Sequence, residues 1–260
     1  MKPMNVAPQT PDEKVAETHR RLGRLRLLID DEQRRQRILF LMSLLSLAIV
    51  SLIAFLTTTL ALLPIDLATT RELQEVISVP FLRLMVFVSA FGYMPWSAVM
   101  VAGGAIVVGM LFGWKHGAYL VLLTGVQGIA NYLVKIMIGR PRPLDTLVNV
   151  FVPVSGNSFP SGHVMFYTVF FGFLFFLIWT RLPPSIWRAL ALILTSGLIF
   201  LIGPSRMYLG AHWLSDVVAA HLLGLIILAF GIEFYLRYLA PRQPAHQEGL
   251  VGTRDQALQK

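Results

Sequence analysis

Three groups of residues in this sequence have types and spacings suited to phosphate chemistry. Phe159-Pro160-Ser161-Gly162-His163 sits where a loop rich in Gly, Ser and Asn gives way to an apolar run. Pro160 and Ser161 are helix-start residues, with Ser a favoured N-cap, so His163 is expected in the first turn of a helix. A helix start offers unpaired backbone N–H groups and partial positive charge, which suits a bound phosphate. Upstream stand Lys135 and Arg142-Pro143; downstream stand Ser205-Arg206, His212 and Asp216. Alone, a Ser-Gly-His before a helix is a capping signal. Three such clusters, each at the end of a membrane-length apolar run, are hard to explain as packing.

The chemistry divides between charge and proton transfer. Lys135 and Arg142 are seven positions apart, about two helical turns, and stay at one membrane depth even if the helix breaks between them. Arg206 adds a third cation, and Arg can grip phosphate oxygens in bidentate fashion. With the N–H groups of Ser161 and Gly162 and the Ser161 hydroxyl, these could cradle three phosphate oxygens and stabilise a phosphoryl-transfer transition state. His212 and Asp216 are spaced i, i+4, which brings them together on a helix face. A carboxylate on one imidazole nitrogen fixes the tautomer and makes the other a better nucleophile or base. His163, on another helix, can serve as general acid for the leaving oxygen. His221 lacks such a partner in the sequence and reads as structural.

The elements that position these groups follow from composition. Of 260 residues, 55% are hydrophobic and 14% charged, with a mean hydropathy of +0.66; a soluble domain carries roughly 25% charged residues. This is the composition of an integral membrane protein. The formal net charge of +8 fits basic residues flanking spans and an anionic substrate, not nucleic acid. The absence of cysteine excludes disulfides, thiolate catalysis and Cys-ligated metals. No group of carboxylates that could hold Mg²⁺ stands out on the motif side, so neither metal nor cofactor is expected.

Residues 1–37 read as a polar cytosolic tail and 241–260 as a second one, leaving 38–240 as the membrane domain. No cleavable signal is expected, because the first apolar run is too long for one and should remain as an anchor. Spans are expected over 38–63 (ended by Pro64 and Asp66), 96–114, 118–138, 164–180, 186–202 (stopped by Gly203-Pro204) and 213–235. Residues 67–94, interrupted by charges and Pro80, read as one interfacial amphipathic helix. The fold class is thus all-α, a six-helix membrane bundle with one added interfacial helix. Gln127, Asn131 and Lys135 fall on one face of the third span at i, i+4, i+8. For Gln127 and Asn131 that stripe reads equally as interhelical hydrogen bonding; Lys135, near the mouth, reads as functional.

Basic residues set the orientation. Arg34, Arg35, Arg37, Lys115, Arg181, Arg188, Arg237 and Arg242 share one side, read as cytoplasmic, with both termini. The motif clusters then face the outside or periplasm. Arg140, Arg142 and Arg206 break the positive-inside tendency there, which suggests that they bind an anion.

Lys135-x6-Arg142-Pro143, Pro160-Ser161-Gly162-His163 and Ser205-Arg206-x5-His212-x3-Asp216 together resemble the three-part signature of the type 2 phosphatidic acid phosphatase (PAP2) superfamily. The likeness covers roughly residues 38–240. It implies a metal-independent membrane lipid phosphatase acting through a phosphohistidine. By that resemblance His212 is the nucleophile, Asp216 its orienting partner and His163 the acid, while Lys135, Arg142, Ser161, Gly162, Ser205 and Arg206 bind phosphate. The lipid is less legible. Undecaprenyl pyrophosphate fits an outward site best, with phosphatidate, phosphatidylglycerol phosphate and lipid A phosphate as alternatives. A transporter or scramblase of anionic lipids would also use outward cations, but has no clear use for two histidines and an aspartate. The expected partners are the lipid substrate and the bilayer, and the oligomeric state is left open.

Overall fold

The computed structural model describes residues 32–60 and 62–240. Most of the first expected tail and all of the second lie outside them. The described residues form eight helices: α1 Glu32–Thr59, α2 Pro64–Gln74, α3 Val79–Ala90, α4 Trp96–Phe112, α5 Trp114–Ile138, α6 Gly162–Arg181, α7 Ile186–Tyr208 and α8 Leu214–Tyr238. Among the described residues there is no strand, as the run of long uncharged segments dictates.

Five of these helices (α1, α5, α6, α7 and α8) are long and apolar enough to cross a membrane. Only 6% of the most apolar stretch of α1 is buried, against 67% for α6. Side chains such as Phe40 and Leu41 are exposed on α1, and a helix apolar all round yet unburied is suited to a lipid surround. The core sits around α6, which packs against α5, α7 and α8. Its phenylalanines fill that core: Phe170 and Phe173 are fully buried, and Phe173 meets Tyr119 of α5 and Tyr235 of α8 edge-on. α1 lies against α8, pinned by a forked pair of hydrogen bonds from Arg35 to Glu233 at 2.7 and 2.9 Å.

Several boundaries differ from the sequence reading. The segment read as a single interfacial helix is two, α2 and α3, separated at 75–78. Pro80 falls in the first turn of α3, where a missing N–H costs nothing, and Ser78 caps it by accepting from the Phe81 N–H. The turn between α4 and α5 is at Gly113, so Lys115-His116-Gly117 is already helical. α7 continues through Pro204 to Tyr208. Proline removes one donor from the ladder, and the packing of α3 against this part of α7 holds the helix beyond it. That extension matters, because Ser205 and Arg206 are thereby presented from a helix and not from a loop.

Candidate active site

The site is assembled where α5, α6, α7 and α8 begin or end. α5 stops at Gly139, whose φ of 65° is left-handed and therefore favours glycine. The chain then turns inward at Arg140 and returns through residues 141–160 to the start of α6. Ser161 occupies the N-cap position of α6, so His163 lies in the first turn as its spacing predicts. Ser161 makes no capping bond, however; its hydroxyl is buried with no partner among the described residues. Its N–H donates to the Asp216 carbonyl at 3.2 Å. That N–H is thus engaged within the fold, whereas the hydroxyl remains able to donate to a ligand.

His212 lies in the short connection between α7 and α8. Its Nδ1 is 3.5 Å from Asp216 Oδ2 and 3.4 Å from Ser158 Oγ. The Ser158 hydroxyl also makes a very short hydrogen bond to Asp216 Oδ2, so the serine bridges carboxylate and ring. On the opposite edge, Arg142 Nη1 stands 3.1 Å from His212 Nε2. A guanidinium can only donate, so Nε2 carries the lone pair and Nδ1 the proton. Burial pulls the His212 pKa down to about 3, against the raising effect of the Asp216 hydrogen bond and with further lowering from Arg206. The ring is neutral at ordinary pH. That is the nucleophilic form.

Asp216 is fully buried and accepts from three further groups: Ser158, the Trp213 N–H at 2.9 Å and Arg140 Nη1 at 2.6 Å. Arg140 also reaches Asp66 of α2 at 2.6 Å and the Ser215 hydroxyl at 2.7 Å. Its guanidinium is fully buried between two carboxylates. Arg140 was expected among the anion-binding residues, and the structure instead commits it to these pairs. Asp66, read only as part of a span terminator, is a buried member of the network.

The cations that remain face the same place. Lys135 donates to the carbonyls of Asn157 and Ser158 at 2.9 and 3.2 Å, clamping the loop that carries Ser158. Arg142 Nε and Nη1 donate to the Gly156 and Ala211 carbonyls; burial, and then Arg206, lower its pKa. Arg206 Nη1 donates to Ser89 and Tyr93, each at 2.5 Å, while its Nε and Nη2 are buried without partners among the described residues. The His163 ring packs edge-on against Tyr93 with centroids 4.3 Å apart, and its Nε2 has no such partner either. His163 feels the charges of Arg206, Arg142 and Lys135 together. Buried polar groups without partners among the described residues surround the neutral His212 ring, a cradle suited to an anion.

One expected phosphate ligand is engaged elsewhere. The Ser205 hydroxyl donates to the Met85 carbonyl of α3 at 2.6 Å, which ties α7 to α3 and takes that hydroxyl away from the cradle. In the polar stripe of α5, Asn131 donates to the Pro160 carbonyl at 3.3 Å, the interhelical reading of that face, while Lys135 reaches the loop.

The PAP2 superfamily profile matches residues 116–239, a segment that contains all three clusters. The chain carries a PAP2 superfamily domain. It is 32% identical over 125 residues to phosphatidylglycerophosphatase B of Bacillus subtilis, a match over 46% of this chain and 59% of that one. It is 34% identical over 132 residues to the lipid A 1-phosphatase of Rhizobium johnstonii, over 46% of this chain and 45% of that one. These matches span about half the length of those relatives. In fold it is similar to the crystal structure of a transmembrane PAP2 type phosphatidylglycerolphosphate phosphatase from Bacillus subtilis, with a TM-score of 0.66, 23% identity, and coverage of 77% of this chain and 98% of that one. Aquifex aeolicus LpxE aligns with a TM-score of 0.53 at 20% identity, over 67% of this chain and 98% of that one.

Within the PAP2 domain, sequence reasoning missed Ser158, three residues before Ser161. Outside the matched segment it missed Asp66, Ser89 and Tyr93. Ser158 had a signal in its place beside the motif. The others touch the site only through tertiary contacts, and nothing in their own neighbourhoods distinguishes them.

Proposed function

We propose that this protein is a metal-independent lipid phosphatase that works through a phosphohistidine at His212. The observation that carries this reading is the His212 tautomer, with Nδ1–H held by Asp216 and Ser158 and the Nε2 lone pair turned toward Arg142. The His212 lone pair attacks phosphorus while the bond to the lipid oxygen breaks, and His163 gives its proton to that oxygen. Water then attacks phosphorus, losing its proton to His163. The N–P bond breaks, its electron pair returns to Nε2, and phosphate leaves. Arg142 shifts from Nε2 to a phosphoryl oxygen as substrate enters. Arg206, Lys135, the Ser161 hydroxyl and the Gly162 N–H hold the remaining charge; Ser205 acts by fixing α7 on α3.

The membrane arrangement follows from the same elements. α4 has 17 residues, about 25 Å at 1.5 Å per residue, the short end of what crosses a bilayer. Counting it gives six crossings, with α2 and α3 lying at the outer interface and both termini in the cytoplasm. The domain is then residues 38–240 in the cell membrane, and the site opens at the outer membrane–water boundary. A lipid phosphate reaches it sideways while its tails stay in the bilayer.

Phosphatidylglycerol phosphate and lipid A 1-phosphate, named by the relatives, and undecaprenyl pyrophosphate, suggested by the outward site, all present a terminal phosphate to such a cradle. The test is phosphate release by the purified protein in detergent from each of these lipids and from phosphatidate. Release from at least one, lost in His212→Ala, supports the reading. No release from any of the four would overturn it.

A further inference from the structure

The charge around Asp216 has a composition that orienting an imidazole does not require. Asp66, Arg140 and Asp216 form a fully buried row in which two carboxylates share one guanidinium, with both contacts at 2.6 Å. Ser215 closes the row on its α8 side: its N–H donates to Asp66 Oδ1 at 2.8 Å and its hydroxyl to Asp66 Oδ2 at 2.7 Å. Asp66 and Arg140 side chains have no exposure at all. The row therefore carries one net negative charge in a medium of low dielectric, where a charge is costly unless an opposite one stands beside it.

Such a charge has a use only when something beside it becomes positive. If Asp216 and Arg140 stood alone, their charges would cancel, and the carboxylate next to His212 would be largely spent on the guanidinium. Asp66 takes up the far side of Arg140 and restores a net negative field at the ring. The remaining cations that face His212 are Arg142 from the 139–160 loop, Lys135 of α5 and Arg206 of α7, and they act on the phosphoryl side. The row thus opposes them on the Nδ1 side, where the ring turns cationic as Nε2 bonds to phosphorus.

We propose that Asp66, acting through Arg140, is a positioning residue that supplies the negative charge stabilising the cationic phosphorylated ring of His212. The inference rests on the phosphohistidine reading above. It also gives α2, which lies outside the segment matched to the PAP2 superfamily, a role in the chemistry. Asp66 makes no contact with the phosphate site itself, so it governs the rate of the chemical step and leaves substrate binding alone.

The test is a double-mutant cycle in the full chain, with kcat and KM measured separately on whichever lipid phosphate the wild type hydrolyses. Asp66→Asn keeps the shape and an oxygen acceptor but leaves the row neutral. We expect kcat to fall by roughly 10- to 100-fold, with KM within about twofold of wild type. Asp66→Asn with Arg140→Gln restores one net negative charge, and kcat is expected to recover toward wild type relative to Asp66→Asn alone. A structural role alone would make the double variant worse than either single one. Overturning results are a kcat of Asp66→Asn equal to wild type, additive losses in the double variant, or an Asp66→Asn protein that no longer folds, which would assign Asp66 to folding alone. If the wild type hydrolyses no lipid phosphate, it is the phosphatase reading that fails, and the cycle then reads the histidine directly. The rate at which ³²P-phosphoramidate, a small phosphoryl donor, labels His212 at pH 7 should be lower in Asp66→Asn than in wild type; an unchanged rate would end the proposal.

Discussion

Gly92 precedes Tyr93 in the α3–α4 connection, and a methyl group there would strike the proposed acid. A Cβ built at position 92 lies 2.2 Å from His163 Cδ2, 2.7 Å from Cγ and 2.9 Å from Nε2. Because Cγ is involved, rotation about the Cβ–Cγ bond cannot relieve the overlap; the ring as a whole must retreat. Ordinary contact begins near 3.4 Å, so the displacement is about 1 Å, and a shift of that size costs on the order of 100-fold in rate. The loss should depend on the leaving group. An alkyl lipid oxygen needs a proton as it departs, whereas p-nitrophenolate needs little. Gly92→Ala is therefore expected to lower kcat/KM about 100-fold on a lipid phosphate and by less than about 10-fold on p-nitrophenyl phosphate. His163→Ala should show the same order of sensitivity with larger losses. The assay is kcat/KM for both substrates with the purified variants, because that ratio reports formation of the phosphohistidine, whereas kcat also includes the water attack that His163 serves for both substrates. Equal losses on the two substrates, or full activity on the lipid, would refute the assignment of His163 as acid.

Other expectations follow from the same geometry. Activity should survive excess EDTA, because the cations of the cradle supply the positive charge; loss on chelation with recovery on Mg²⁺ addition would contradict this. Vanadate should inhibit as a mimic of five-coordinate phosphorus. Burial of His212 makes stability depend on pH with a definite sign: the folded pKa near 3 lies below the ordinary 6.5, so the unfolded chain binds the extra proton between them. Stability contributed at this site is complete above about pH 6.5 and is lost as pH falls toward 3. Thermal melts in detergent at pH 7 and pH 5 should show a larger drop for wild type than for His212→Gln. For sidedness, single cysteines at Asn149 and Ser185 in this cysteine-free chain should differ toward an impermeant thiol reagent on intact cells. Asn149 should label and Ser185 should not; the reverse would turn the site inward.

The parts of the site that lay within a helical turn or two of one another could be read directly. The spacing of His212 and Asp216 predicts that they meet, although His212 stands in the turn before α8 and Asp216 in its first turn, not on one helix face; Ser161 to His163 needed only the grammar of a helix start. What could not be read depends on which side chains meet across the bundle. Arg140 and Arg142 sit two residues apart with one chemical type. Gly139 sends the first toward Asp66 and Asp216, and the second to His212. Ser205 and Arg206 are adjacent on α7, yet one faces Met85 while the other turns its spare nitrogens to the cradle. Asp66 at the start of α2 is already explained by the favourable field of a helix N-terminus, so nothing local marks it as part of the site. The same limit applies to the fold. Long apolar runs gave their helices away, whereas Pro204 was read as a stop, because its local cost is offset only by packing that a lone sequence does not display.

The central claim is a covalent bond between His212 and phosphorus. The direct measurement is to mix the purified protein with a ³²P-labelled terminal lipid phosphate, quench in base within the first turnover, and map the label by mass spectrometry. Phosphohistidine is stable in base and labile in acid, so the account predicts base-stable, acid-labile label on His212. With ³²P-labelled p-nitrophenyl phosphate, whose leaving group needs little protonation, His163→Ala should hold more label than wild type, since loss of the residue that activates water slows its release. Turnover without label on His212, or turnover that persists in His212→Ala, would contradict the account.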